Sequence, residues 1–552
     1  MNWSKYKKYP AMDFQDRTWP TKTIDKAPIW CSVDLRDGNQ ALPVPMSVEK
    51  KLKMFNLLKV LGFKEIEVAF PSASNTDFRF VRTIIEKGFL NEDTVIQVLT
   101  QSREHLIRRT FESIQGADHA IVHLYNSTSE QQRRIVFNKD KSEIIEIALK
   151  GARLLKQLAA ESDSDIRFEY SPESFTGTEM DYALEICEAV LNVWQPTPEK
   201  KVIINLPATI EMATPNVYAD QIEWFCRHIS CRDSVIISLH AHNDRGTGVA
   251  ATELGVLAGA DRVEGTLFGN GERTGNVDII NLAMNLYSQG IDPKLNITNI
   301  DAITKTYEEC TDLRVHERHP YAGQLVFTAF SGSHQDAINK GFHYVREEKP
   351  EYWDVPYLPI DPSDLGRQYE AIIRINSQSG KGGVAFIMEN EFGYQLPKAM
   401  HPEFGEMIKQ KSDIMGKELT PEEIMEVFNE KYLEAKGPVS LEDYSVESKG
   451  NTVSVSAQLL MEGKPIHISG KGNGPISAFF DALKNYGVTK FRFEAYAEHA
   501  LTSGADAEAV AYIQLANGGG RSIFGVGKDQ NPTTASLRAI ICVLNRAMLN
   551  GS

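Results

Sequence analysis

Cysteine is scarce in this chain and never paired in sequence: Cys31, Cys187, Cys226, Cys231, Cys310 and Cys542 form no CxxC motif. That spacing excludes a zinc ribbon or a disulfide framework and points to the reduced thiols of an intracellular protein. Long apolar runs are missing too. None approaches the ~20 residues a membrane helix needs, so no membrane role is expected. The first residues mix Lys5, Lys7 and Lys8 with Asp13 and Asp16 around no apolar centre, unlike a signal peptide; the expected setting is cytoplasmic. Basic charge is in deficit, with a net charge of -15, which argues against nonspecific binding to nucleic acid or anionic membrane. There is no low-complexity segment.

What is present is an ordinary globular composition, 42% hydrophobic and 24% charged, over 552 residues. That length predicts about two or three domains. From residue 29 to about 290, β-rich runs alternate with amphipathic stretches. The runs are Ile29–Asp34, Glu65–Ala69, Val95–Leu99, His119–Leu124, Arg167–Tyr170, Val202–Leu206, Val235–Leu239 and Arg262–Leu267. Between them, Ile144, Ala148, Ala152, Leu155 and Ala159 recur at helical spacing. Eight strand–helix units predict an α/β chain with a (β/α)8 TIM barrel. A doubly wound sheet also alternates, but no Gly-rich nucleotide fingerprint follows the first run. Residues 1–28 read as an N-terminal extension and 29–300 as the barrel. A largely helical linker region covers 301–437, including the Gly-rich turn at 377–383. An α+β domain of two similar strand–helix halves follows over 438–552.

Chemistry gathers where these strands end. A strand sends side chains i and i+2 to one face, so His240 and His242, closing the run Val235–Leu239, point the same way. Alone, such a pair is equally a core histidine beside a surface one. A second polar cluster, Asp34-Leu35-Arg36-Asp37-Gly38-Asn39-Gln40, closes the first run, and barrel active sites form at strand C-termini. Asp37, His240, His242 and an amide oxygen from Asn276 would make an N/O ligand set with open positions, suited to Mn²⁺, Zn²⁺, Co²⁺ or Mg²⁺. Such a centre could chelate a 2-oxo acid. Arg36 is placed either to stabilise a developing alkoxide or to form a salt bridge in the barrel mouth. Glu173 is either a base or substrate-orienting group, or an exposed loop carboxylate. The run Gly269-Asn270-Gly271-Glu272-Arg273-Thr274-Gly275-Asn276 after the last strand is a candidate seat for a phosphate-bearing cofactor tail. His334 has a side chain suited to proton abstraction, with nothing in the sequence to prefer it over His316 or His319.

Together, Leu35–Gln40, Tyr170-Ser171-Pro172-Glu173, Asn205–Thr209, His240–Gly246 and Gly269–Asn276 resemble the 2-isopropylmalate synthase family, in its longer bacterial and fungal branch. The blocks 331–337 and Val355–Pro362 fit as well, and the resemblance runs over nearly the whole chain. It implies condensation of acetyl-CoA with 3-methyl-2-oxobutanoate to 2-isopropylmalate and CoA, the committed step toward leucine. It further implies a divalent metal (Mg²⁺ foremost, Mn²⁺ or Zn²⁺ otherwise) on Asp37, His240, His242 and Asn276, with Arg36 stabilising oxygen charge. His123, Ser171, Glu173 and Thr209 would line the oxo-acid pocket. His334 and Tyr357, reaching over from the partner of a homodimer, would transfer protons. The C-terminal domain would bind leucine as an inhibitor at Gly472-Asn473-Gly474-Pro475, where a helix start offers amide donors to a carboxylate. Homocitrate synthase, citramalate synthase, a retro-aldol lyase and a catalytically dead amino-acid sensor share parts of this pattern.

Overall fold

Continuous apolar runs suit parallel strands covered on both faces, and here they close on themselves. The computed structural model describes residues 2–10, 12–90, 93–329, 332–368, 381–415, 419–501, 507–517 and 522–549. The strands are β1 (Ile29–Ser32), β2 (Glu65–Ala69), β3 (Val95–Gln101), β4 (His119–Ser127), β5 (Asp165–Glu173), β6 (Val202–Ala208), β7 (Val235–Ala241) and β8 (Arg262–Gly265). They pair in sequence order, and β8 returns to β1 with Ile29 opposite Arg262 and Ser32 opposite Gly265. The chain is thus an α/β protein built on a closed parallel barrel. All seven residues of β6 are buried, which is why no polar alternation marks it in the sequence.

Local signals set the intervening helices. Ser47 accepts the amide of Lys50 at the start of α1 (Val48–Leu61), and Gly62, at φ 98°, ends it. Ser74 caps α2 (Asn75–Glu86) in the same way through Asp77.

β4 and β5 run furthest past the ends that the sequence pattern indicates. The β4–β5 ladder continues to Ser127 opposite Glu173, and the amide of Thr128 donates to the Glu173 carbonyl at 3.1 Å. Tyr125, Asn126, Ser171 and Glu173 therefore stand on rigid strands, although Pro172 and the polar residues around it read as loop. By contrast β1 stops at Ser32. The chain then makes a wide turn, Asp34–Gly38, closed by a bond of 3.1 Å from the Gly38 amide back to the Val33 carbonyl.

The chain divides into two units: residues 1–326 with 360–368, and residues 327–359 with 369–552. In the second, helices Gly332–Glu348, Lys381–Phe392, His401–Met415 and Pro421–Phe428 precede two antiparallel sheets. These comprise β9 (Val439–Lys449), β10 (Thr452–Met461) and β11 (Lys464–Gly472), then β12 (Phe491–Ala500), β13 (Ala509–Asn517) and β14 (Ser522–Asp529). Helices Pro475–Tyr486 and Pro532–Leu549 follow the two triplets. The two strand–helix halves expected from sequence are present, each a three-stranded sheet with one helix. β9 is mostly exposed and polar, so no apolar run marks it in the sequence. Gly470 and Gly525 are required by close packing: a Cβ at either would stand 2.3 Å from the backbone of the covering helix.

A second core ties the linker helices to these sheets, with Phe404, Phe428 and Tyr432 packed among Tyr512, Phe524 and Val526. Residues 377–380 of the Gly-rich turn lie outside the described residues, and the helix beginning at Lys381 takes up its last three.

Candidate active site

Because β1, β7 and β8 are neighbours in the closed barrel, their C-terminal ends bring three separate sequence blocks together. Asp37 leaves the wide turn after β1, His240 ends β7 with His242 just beyond, and Asn276 follows β8. Asp37 Oδ2 lies 3.4 Å from His240 Nε2 and 3.8 Å from His242 Nε2. One ligand atom from each of these residues falls within 4.8 Å of the others. Asn276 Nδ2 donates to Asp37 Oδ2 at 2.8 Å. Its Oδ1, like His242 Nδ1, is buried without a hydrogen-bond partner among the described residues. An orphaned buried oxygen costs about 1–3 kcal/mol, and a divalent cation held by Asp37, the two imidazoles and the Asn276 amide oxygen would relieve it. The donor set therefore fits a metal.

Electrostatics within the trio are strongly coupled. Burial opposes the Asp37 charge, but Arg36 and the two imidazoles hold its carboxyl well below the usual range. Burial also opposes a charge on His240, yet its hydrogen bonds to Asp37 and Glu264 raise it to about 9. His242 is lowered to about 4 by burial and then by the charge of His240.

A cavity of about 300 Å³ opens above the trio, lined by Arg36, His123, Ser171, Glu173 and Thr209 among others. The expected pocket residues thus meet in one place. His123 Nε2 is 2.7 Å from Ser171 Oγ, which also accepts Asn205 Nδ2 at 3.0 Å. Thr209 Oγ1 accepts the amide of Ser174 at 2.9 Å, and the Ser127 hydroxyl donates to Glu173. Arg36 donates through Nη1 to Asp37 at 2.7 Å and through Nε to Glu67. It forms the salt bridges and lines the cavity as well.

Below the cavity lies a buried polar layer that no motif in the sequence marks. Glu67 Oε2 is 2.9 Å from His123 Nδ1 and accepts Gln97 at 2.8 Å. Glu264 Oε2 is 2.7 Å from His240 Nδ1. Arg262, wholly buried, donates to Glu65 at 2.6 Å and to Ser238 and Glu264 at 2.8 Å each. It also donates to Gln97 at 2.7 Å. Neither Glu169 oxygen receives a hydrogen bond among the described residues, although His123 Nδ1 lies 3.4 Å and Arg262 Nη1 3.6 Å away. Burial and the Glu264 charge push the Glu169 carboxyl well above the usual range. The available signal was an acid or base at alternate positions of an apolar strand, Glu65 and Glu67 or Arg262 and Glu264.

The Gly-rich segment packs against the same corner. Asn270 Nδ2 donates to the Gly38 carbonyl at 2.8 Å. A Cβ on Gly271 would stand 2.3 Å from Asn276 Nδ2, and one on Gly275 (φ 99°) 1.9 Å from the Gly269 carbonyl oxygen. These glycines make room for the Asn276 side chain and the tight loop beneath it.

In the other unit, His334 stacks on Tyr357 with ring centroids 4.1 Å apart, and both are exposed. The competing histidines are engaged elsewhere. His319 lies against Asp278 and the Pro320 carbonyl, and His316 Nδ1 accepts the amide of Arg318. Gly472, Asn473, Gly474 and Pro475 line a separate cavity of about 600 Å³ with Ile476, Phe480 and Phe493. Among the described residues, no helix is long and apolar enough to cross a membrane.

Comparison with known proteins extends these observations. Residues 27–306 match the HMGL-like family, 324–389 the alpha-isopropylmalate synthase post-catalytic domain-like family, and 418–548 the LeuA allosteric (dimerisation) domain. The 2-isopropylmalate synthase of Clostridium acetobutylicum is 59% identical, with both chains covered completely. That of Pseudomonas entomophila is 56% identical over 99% of this chain and 97% of its own. Among solved structures, hydroxymethylglutaryl-CoA lyase from Pseudomonas aeruginosa matches 52% of this chain and 95% of its own. Its TM-score of 0.43 and 18% identity carry no functional argument. Full-length identity at this level, with all three domain matches in order, decides among the relatives considered: the chain belongs to the 2-isopropylmalate synthase family.

Proposed function

We propose that this protein condenses acetyl-CoA with 3-methyl-2-oxobutanoate and hydrolyses the thioester, releasing 2-isopropylmalate and CoA. The observation that carries the reading is the convergence of Asp37, His240 and His242 beside Arg36 in one cavity, in a chain 59% identical to a 2-isopropylmalate synthase. Asp37, His240, His242 and Asn276 would hold a divalent metal, Mg²⁺ foremost. When bound it supplies Lewis-acid polarisation of the oxo acid. Arg36 directs a fixed fork of donors at the oxygen that gains charge. His123, Ser171, Glu173 and Thr209 hold the oxo acid. The Gly269-Asn270-Gly271 loop receives the phosphate-bearing part of acetyl-CoA. His334 and Tyr357, acting across a homodimer, move the protons.

The working domain division is an extension over 1–28, the catalytic barrel over 29–300, linker subdomains over 301–437 and a leucine-binding domain over 438–552, in a cytoplasmic enzyme. The homocitrate, citramalate, lyase and inactive-sensor alternatives are not favoured by relatives of this identity and coverage. Thiol release from acetyl-CoA against a panel of 2-oxo acids, with and without leucine or chelator, tests the assignment. 3-Methyl-2-oxobutanoate is expected to be preferred, with the signal lost to chelator. A preference for pyruvate or 2-oxoglutarate would reassign the substrate.

Glu264 supplies a second test. A histidine ligand is oriented by the acceptor on its other ring nitrogen, and such acceptors are worth roughly 10–100-fold in metal affinity. Glu264→Gln is expected to weaken Mn²⁺ binding by that factor. The pH dependence follows from His240, which holds a proton up to about 9 in the metal-free protein. To ligate, it must give that proton up. Metal binding at pH 7.5 should therefore release about one proton, and apparent affinity should rise with pH until about 9. His242, lowered to about 4, is already neutral there and contributes none. Calorimetry in buffers of different ionisation enthalpy measures the release; a pH-independent affinity between 6 and 9 would contradict this account.

A further inference from the structure

Lys51, on α1, loses all of its exposure, a state lysine almost never adopts unless paired. Its three N–H groups meet three acceptors: the Leu35 carbonyl at 2.8 Å, the Val68 carbonyl at 3.3 Å and Asp77 Oδ1 at 2.5 Å. The Phe80 ring lies 5.1 Å from Nζ. These acceptors occupy telling positions. Leu35 sits in the wide turn immediately before Arg36 and Asp37. Val68 follows Glu67, which pairs with both Arg36 and His123. Asp77, in the first turn of α2, also accepts the amide of Phe70 at 3.2 Å, just beyond the end of β2. One ammonium thus joins the ends of two neighbouring barrel strands.

We propose that Lys51 is a positioning residue for the reaction, fixing the Arg36–Asp37 turn in register with Glu67 and the imidazoles of β7. The proposal rests on the roles given above to Arg36 and Asp37. Packing alone does not account for the choice of lysine. Burial pulls its ammonium below the usual lysine range against the pull of Asp77. A buried ion pair, moreover, is often no more stabilising than apolar side chains of the same volume. What an apolar residue cannot do is hold two carbonyls at one point, and reacting groups displaced by about 1 Å lose on the order of 10²-fold in rate.

Lys51→Met alone leaves Asp77 without its partner and is expected to lower Tm. The deciding protein is therefore the full-length double variant Lys51→Met/Asp77→Asn, which removes both charges and keeps an oxygen for the Phe70 amide. It is expected to melt above Lys51→Met alone, short of the parent by what the Leu35 and Val68 carbonyls lose, and to bind Mn²⁺ about tenfold more weakly by electron paramagnetic resonance. It should lose about 10–100-fold in kcat, as for groups that orient ligands, with KM for acetyl-CoA little changed. A double variant with parental Mn²⁺ affinity would overturn the proposal, as would one with parental kcat. The Mn²⁺ titration needs no substrate, so it decides the role of Lys51 even where a silent thiol assay in the parent removes the proposed reaction.

Discussion

Replacing Arg36 with methionine is expected to lower kcat for thiol release by roughly 10²–10³-fold, the loss typical of removing one preorganised donor to an oxyanion. The expectation comes from how firmly the guanidinium is held. Its side chain is only 10% exposed, with one edge against Glu67 and another against Asp37. Its orientation is therefore fixed before substrate arrives, and no reorganisation is needed as charge develops. The same contacts make Arg36 a structural ion pair, so the variant also takes the guanidinium away from buried Glu67 and leaves Asp37 to the imidazoles alone, and it should lose stability. The two roles separate in Arg36→Lys, which restores a charge without the planar fork. If Arg36 serves the reaction, the lysine protein regains Tm but recovers only a small part of kcat. A lysine variant with full kcat, or a methionine variant within threefold of the parent, would reduce Arg36 to a salt bridge.

Ile476→Glu is expected to raise the leucine concentration needed for half inhibition by at least about tenfold, since 1.4 kcal/mol of lost affinity already gives that factor. In the cavity of about 600 Å³ at Gly472–Pro475, Ile476, Phe480 and Phe493 provide apolar wall beside the amides of the helix start. A carboxylate at 476 would meet both ends of a bound leucine unfavourably, repelling its carboxylate and desolvating against its alkyl group. Position 476 is partly buried at the edge of the domain core, so Tm is measured alongside, and thiol release without leucine should be unchanged. Inhibition at parental leucine concentrations would place the effector elsewhere. Removing everything after residue 438 is a poorer test. Phe404, Phe428 and Tyr432 of the linker helices share a core with Tyr512, Phe524 and Val526, and truncation would expose that core along with any ligand site.

Much of the site was legible because its signals are local. His240 and His242 share a face by the two-residue period of a strand, and Arg36-Asp37 follows an apolar run at a barrel's functional end. The residues supporting them were not legible. Glu67, Glu264 and Lys51 look like the solvated charges of any strand or helix, and the sequence offers no partner near them. Ser171 and Glu173 read as loop, because Pro172 and its polar neighbours hide a ladder that depends on β4.

The sequence by itself determined the alternation of elements, the strand ends that carry chemistry and the family, all of which depend on short-range periodicity or on blocks of adjacent residues. The tertiary structure bore out the closure of β8 on β1 that the eight units predicted, and it alone decided which faces of β2 and β8 turn inward, and therefore that Glu67 holds Arg36 while Glu264 orients His240. Periodicity says which side chains lie on the same side of a strand. Which side becomes the interior is fixed by closure of the barrel, a contact between residues more than two hundred positions apart.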